Sequence, residues 1–221
     1  MDPASRPVGD PLALDPALLS SAVVAACAAA RTENGALQAL DAALAAGDPA
    51  GVGPALLAAD AALTARGLRV ALADAYGAPL ATLDPASLSP EARSAAAELL
   101  LLSGAPDAAR HMANPGDAGF AALLAIAGAG PVPEATADPL ASAALAGLTA
   151  EAPADDRERG LAAMLAEGRQ GRALLSALDL VQSGERTDPP ALRAAMLTLK
   201  LAGQGEAART IALETILASG S

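Results

Sequence analysis

Residues 90–113 read PEARSAAAELLLLSGAPDAARHMA, and residues 189–212 read PPALRAAMLTLKLAGQGEAARTIA. At this offset of 99 positions Pro90 meets Pro189, Leu100 meets Leu199, Leu102 meets Leu201 and Gly104 meets Gly203. Ala108, Ala109 and Arg110 likewise meet Ala207, Ala208 and Arg209, and Asp107 is answered by Glu206. A proline at the first helical position, leucines at helical spacing, a glycine and then Ala-Ala-Arg describe a helix, a tight turn and a second helix. The pattern sets an architecture of helical hairpins and names no chemistry.

Composition agrees with that reading. The chain of 221 residues is 53% hydrophobic, with 64 alanines and 36 leucines against one Phe, one Tyr and no Trp. Alanine is the best helix former and β-branched residues are scarce, so the chain has little material for strands and an all-α fold is expected. A buried methyl contributes only about 0.8 kcal/mol, so the core must draw on leucines and on closely approaching helices. The net charge of −11, with 14 basic residues of which Lys200 is the one lysine, argues against a nucleic-acid or anionic-membrane surface. The longest uncharged run, 118–133, is broken by Gly and Pro and is shorter than the ~20 residues a membrane-spanning helix needs.

Two kinds of punctuation divide the chain. Asp-Pro dipeptides begin at Asp2, Asp10, Asp15, Asp48, Asp84, Asp138 and Asp188, with Ser89-Pro90 as a chemical equivalent. Asp or Ser at the N-cap accepts a hydrogen bond from an orphan N–H, and the following Pro loses none, so these mark helix starts. Glycines supply the stops: Gly35, Gly67, Gly104, Gly128, Gly168 and Gly203 read as hairpin turns with a mean spacing of about 34 residues. Helices are expected over 16–31, 36–46, 53–66, 68–76, 90–102, 106–113, 117–126, 139–148, 156–166, 170–182, 189–201 and 206–218. Segments 79–90 and 128–139 are irregular joints within one array, 1–14 reads as a flexible arm, and 15–221 as a single helical repeat domain.

The period, and a small residue five positions after three of the turn glycines (Gly104 with Ala109, Gly168 with Ala173, Gly203 with Ala208), resemble tetratricopeptide repeats. The likeness is carried chiefly by 90–113 and 189–212 and more weakly by 157–183. Leu and Ala fill the family's bulky aromatic positions, and Pro133 stands where the small residue after Gly128 belongs. The resemblance implies a right-handed α-solenoid of about six antiparallel helical hairpins, and a protein-binding scaffold without a cofactor.

Candidate chemistry is sparse. His111 is the one histidine and Cys27 the one cysteine, which excludes a histidine metal cluster, an intrachain disulfide and a thiolate zinc site. His111 sits in the last turn of a helix, where a partly positive imidazole complements the dipole. Cys27 reads as a small residue of the first helix. The run 18–27, LLSSAVVAAC, superficially resembles a lipoprotein signal, but Arg6 alone precedes it against three aspartates. Asp155, Asp156, Arg157, Glu158 and Arg159 read as a capped, solvated helix start.

Weak partner-binding candidates remain. Arg110 and Arg209 could grip a partner's carboxylates, although such arginines more often lay their stems over a neighbouring repeat and pair with Asp107 or Glu206. Between Asp117 and Glu134 no charge occurs, so this segment is either enclosed or apolar outward. The outward case makes Phe120, Leu123 and Leu124 contact residues for a partner or a second copy. The expected function is therefore a noncatalytic scaffold, binding a peptide or partner helix through a helical-repeat surface. A cytoplasmic location is expected, or a periplasmic one if the chain is a domain of an exported protein. The alternative is a periplasmic or lipid-anchored structural module held through Cys27.

Overall fold

The computed structural model describes residues 21–182 and 187–219, with side chains described outside 21–33 and 182. Among them every regular element is helical: α1 (Ser21–Ala46), α2 (Pro49–Thr64), α3 (Arg69–Leu80), α4 (Pro90–Leu102), α5 (Pro106–Met112), α6 (Ala118–Ile126), α7 (Pro139–Thr149), α8 (Asp156–Ala166), α9 (Gln170–Gln182), α10 (Pro189–Leu201) and α11 (Gly205–Ser219), with a 3-10 turn at Pro85–Ser87. No helix among the described residues is long and apolar enough to cross a membrane. The expected arm at 1–14 and the aspartates at 2, 10 and 15 lie outside the described residues.

Polar caps start the helices as the dipeptides require. Asp48 accepts from the Ala50 N–H at 3.1 Å, Ser89 from Ala92 at 3.2 Å and Asp138 from Leu140 at 2.8 Å. Asp117 and Asp155 cap without a proline, through Phe120 N and Glu158 N. Asp188 makes no such bond and instead faces Arg157 at 3.7 Å. Gly67, Gly104, Gly128, Gly168 and Gly203 all have positive φ, as tight helix stops demand. At Gly104 and Gly203 the same bond closes the turn: Ala105 N to Leu100 O at 2.8 Å and Gln204 N to Leu199 O at 2.8 Å.

Gly35 departs from expectation. It lies inside α1, which runs unbroken, and the stop comes at Gly47. A single glycine costs a helix only about 1 kcal/mol relative to alanine, and here alanine-rich turns flank it. Pro54 likewise lies inside α2, and α3 continues through Gly77 and Pro79 to Leu80.

The helices around 90–113 and 189–212 pack with the same order of contacts. In the first copy α2 packs on α3 and α4, α3 on α4, and α4 on α5; in the second α8 packs on α9 and α10, α9 on α10, and α10 on α11. The inner helices α4 and α10 carry the core, with Ala92, Ala96, Leu99 and Leu100 in one and Leu192, Ala194, Ala195 and Met196 in the other almost wholly buried. The copies join out of sequence order: α7 lies along α10 in one of the two most extensive helix contacts, and α11 reaches back to α4, α6 and α7. That approach depends on Gly147, where a Cβ would run into the Arg193 carbonyl oxygen and stand 2.9 Å from Met196 Cβ.

A partly buried ion network ties α2, α3 and α4 to α11. Arg69 Nε meets Asp60 at 2.7 Å, its Nη2 meets Glu98 at 2.5 Å, and its Nη1 reaches Leu217 O at 3.4 Å. Burial pushes the Glu98 carboxyl above its ordinary value despite the nearby Arg69, and burial with the charge of Asp74 does the same to Glu214. Burial opposes the Arg69 charge, but Asp60 and Glu98 outweigh it and raise its pKa. Tyr76 donates to Asp41 at 2.7 Å, and burial and that carboxylate push the phenol up to about 12.

A pH dependence follows. A carboxyl whose folded pKa exceeds its unfolded one binds its proton more tightly when folded, so the stability it adds is present below the unfolded value and is lost as pH rises through the folded one. Glu98 and Glu214 both act in this sense. The thermal midpoint is expected to be higher at pH 5.5 than at pH 7.5, and a lower midpoint at pH 5.5 would contradict the placement of these two groups.

Candidate functional site

Among the described residues the two matching segments differ most clearly in one region. In the second copy α11 is continuous from Gly205 to Ser219, whereas its counterpart is broken into α5 and α6 by Ala113-Asn114-Pro115-Gly116-Asp117. Pro115 cannot continue the ladder and turns Asn114 away from helical geometry; Gly116 then adopts φ +81. The positions that correspond to 113–117 at the 99-residue offset are Ala212, Leu213, Glu214, Thr215 and Ile216, which sustain a helix with an apolar inner face.

Breaking the helix exposes carbonyls that the fold then satisfies with side chains. Arg93 of α4 donates from Nε to Met112 O at 3.3 Å and from Nη2 to Ala113 O at 3.0 Å. Asn114 Nδ2 donates to Pro90 O at 3.0 Å and to Ser94 Oγ at 2.8 Å, which binds the loop to the start of α4. In the second copy the helix runs on, and the counterpart of Arg93 is Leu192, fully buried.

The break opens a cleft of about 550 Å3 between α4, α5 and α6, with Arg93, Arg110 and His111 among its walls and Phe120, Ala121 and Leu124 on the α6 side. Asp117 is the one acid among its described lining residues, and its carboxylate is engaged as the cap of α6. Arg110, Phe120 and Leu124 are thus brought together. Leu123, with Phe120, lines a separate cleft of about 180 Å3 that also holds Glu98 and Asp138. Phe120, Leu123 and Leu124 are only 6%, 7% and 9% exposed, so the uncharged segment turns its bulky side chains inward. Its exposed residues in α6 and the joint that follows include Ala118, Gly119, Ala121, Pro131 and Val132.

The repeat-equivalent arginines converge on one place. Arg209 donates from Nη1 to Ile126 O at 2.9 Å, and Arg110 donates from Nη2 to Ala129 O, so both clamp the C-terminal end of α6 around the Gly128 turn. Cations there meet the negative end of the helix dipole as well as its free carbonyls. Each also faces the acid three residues earlier, Asp107 at 3.1 Å and Glu206 at 3.9 Å. Arg209→Ala is expected to cost about 1–2 kcal/mol, the value of a partly shielded charged hydrogen bond. Arg110→Ala, at a half-exposed site, is expected to cost under ~1 kcal/mol. Urea unfolding measures both, and equal losses would contradict the difference in their surroundings.

Arg93 and Asn114 line the candidate site, and neither is among the residues expected from sequence. The available signal is the pairing of Arg93 with Leu192, a charge opposite an apolar residue in otherwise matching helices. Asp155 caps α8 as expected, but Glu158 is buried, accepting from Ala154 N at 2.6 Å and facing Arg193 at 3.2 Å. Cys27 lies on the backbone of α1, and its side chain is outside the described ones. Among the described residues no group of three His, Cys, Asp or Glu is placed to hold a metal ion. No protein-family model, curated protein or solved structure matches the chain.

Proposed function

We propose that the chain is a noncatalytic interaction scaffold of the helical-repeat type, which binds a peptide or partner helix in the cleft between α4, α5 and α6. The observation that carries this reading is the broken helix: one of two matching units gives up a continuous α11-like helix and acquires a cleft in its place. A helix interruption removes backbone hydrogen bonds and packed apolar area, and binding is a use that offsets such a loss. Cleft walls held by Arg93 and Asn114 give a preformed surface, which lowers the ordering cost of association.

The tight turns at Gly104 and Gly203 support the resemblance to tetratricopeptide repeats. A duplicated four-helix unit accounts for the packing better than a uniform superhelix of six hairpins, because α7 and α11 make contacts far from their neighbours in sequence. Self-association through 118–133 has less support, since the large side chains of α6 face inward.

A photo-crosslinking amino acid at Ala121, which is exposed on the cleft wall, tests the reading in the source cell. Adducts to a partner protein are expected from position 121 and not from Leu175, which is 67% exposed on α9 away from the cleft. Equal adducts from both positions, or none from 121, would remove the cleft from the binding surface.

A further inference from the structure

We propose that the cleft selects an acidic peptide segment, whose carboxylates meet Arg93, Arg110 and His111 while an apolar side chain rests on the exposed Ala118 and Ala121 of the α6 wall. This rests on the scaffold reading above and narrows it to one partner chemistry. In a chain of net charge −11 with 14 basic residues, two arginines and the sole histidine gather on one cleft. Against them stands one acid among the described lining residues, Asp117, whose Oδ1 caps α6 at 3.0 Å from the Phe120 N, so two guanidiniums face one carboxylate.

The arginines are anchored but not saturated. Arg93 uses Nε and one Nη2 bond on the Met112 and Ala113 carbonyls, and Arg110 uses one bond each to Asp107 and Ala129 O. A guanidinium carries five N–H donors in a fixed fork, so each retains donors for a carboxylate while its orientation is held by the fold. Elsewhere on the protein the acidic excess repels such a segment, so the cleft supplies selectivity as well as attraction. The second copy offers no counterpart: Leu192, Thr210 and Leu213 occupy the positions matching Arg93, His111 and Asn114.

His111 makes the test local, because a single histidine gives a single imidazole Hε1 signal in the proton NMR spectrum. The probes are three short fluorescein-labelled peptides in which leucine alternates with glutamate, serine or lysine. The glutamate–leucine peptide is expected to bind, to move the His111 signal on titration, and to weaken several-fold between about 50 and 200 mM salt. Ala121→Glu, which adds a charge to an exposed wall position, is expected to weaken it at least about ten-fold, and Ala121→Lys to strengthen it about three-fold. Thermal melts of both variants verify the fold. A serine or lysine peptide that binds at His111 as well as the glutamate one would overturn acid selection while leaving the scaffold reading intact. Failure of all three peptides to move the His111 signal, together with an absence of crosslinks from position 121, would overturn both.

Discussion

Replacing Arg69 by methionine is expected to lower stability by about 3 kcal/mol, the low end of the 3–5 kcal/mol typical for breaking a buried ion pair. The Arg69 side chain is 11% exposed and its partners Asp60 and Glu98 are 15% and 28% exposed, so removing the cation leaves two shielded carboxylates side by side. The partial exposure of Glu98 moderates the loss. Methionine keeps the stem packing, which separates the charge effect from a cavity effect. For a chain of this length the thermal midpoint should fall by roughly 6–12 °C. The pH dependence should steepen too, because Glu98 loses the partner that holds its pKa down. Replacing all three residues by apolar ones should cost less than Arg69→Met alone, since no buried charge is then stranded. Equal stability of Arg69→Met and the wild type would show that the network contributes nothing.

Gly147→Val is expected to be as damaging. The added Cβ would run into the Arg193 carbonyl oxygen, which belongs to the backbone of α10 and cannot rotate aside. The helices must separate along their whole contact, at a cost of about 3 kcal/mol for overpacking. Alanine at the same site gains about 1 kcal/mol of helix propensity but meets the same carbonyl, so a smaller net loss is expected. Gly160→Ala supplies the contrast, because a Cβ at this exposed position of α8 would have nothing within 4 Å. There the substitution should stabilise by about 0.5–1 kcal/mol. Chemical denaturation of the two alanine variants tests opposite signs for one chemical change; the same sign in both would contradict the close approach of α7 and α10.

Local structure is legible in the residues because its causes are local. The bounds of α4, α8, α9 and α10 follow from Ser89-Pro90, Asp155, Gly168 and Asp188-Pro189 at one end and glycine or small polar residues at the other. Where sequence and structure part, a neighbour in space or in the helix overrides a punctuation residue. Gly35 is absorbed by α1, and α2 begins at Asp48-Pro49 rather than at the expected residue 53. The order in which helices pack is not legible. Alanine faces carry little shape that distinguishes one partner from another, and the choice of α10 by α7 depends on a side chain that Gly147 lacks.

The cleft is half legible. Arg110, Phe120 and Leu124 stand out as a repeat arginine and an uncharged segment, yet their meeting depends on the break at Pro115 and Gly116. The two matching helices already end at different lengths in the sequence, near 113 in one copy and near 218 in the other. That inequality is the signal of the cleft. Arg93 escapes notice because its partners are backbone carbonyls, and its one trace in residue type is the mismatch with Leu192.

Amide hydrogen exchange over 106–126 and 205–219, with and without the glutamate–leucine peptide, measures both the break and its use. Rapid exchange near 114–117 between protected α5 and α6 is expected in the free protein, against slow exchange throughout the centre of α11. Added peptide should slow exchange at 113–121 and leave 205–219 unchanged. Peptide protection spread equally over both segments, or confined to α11, would contradict a binding cleft that belongs to the first copy alone.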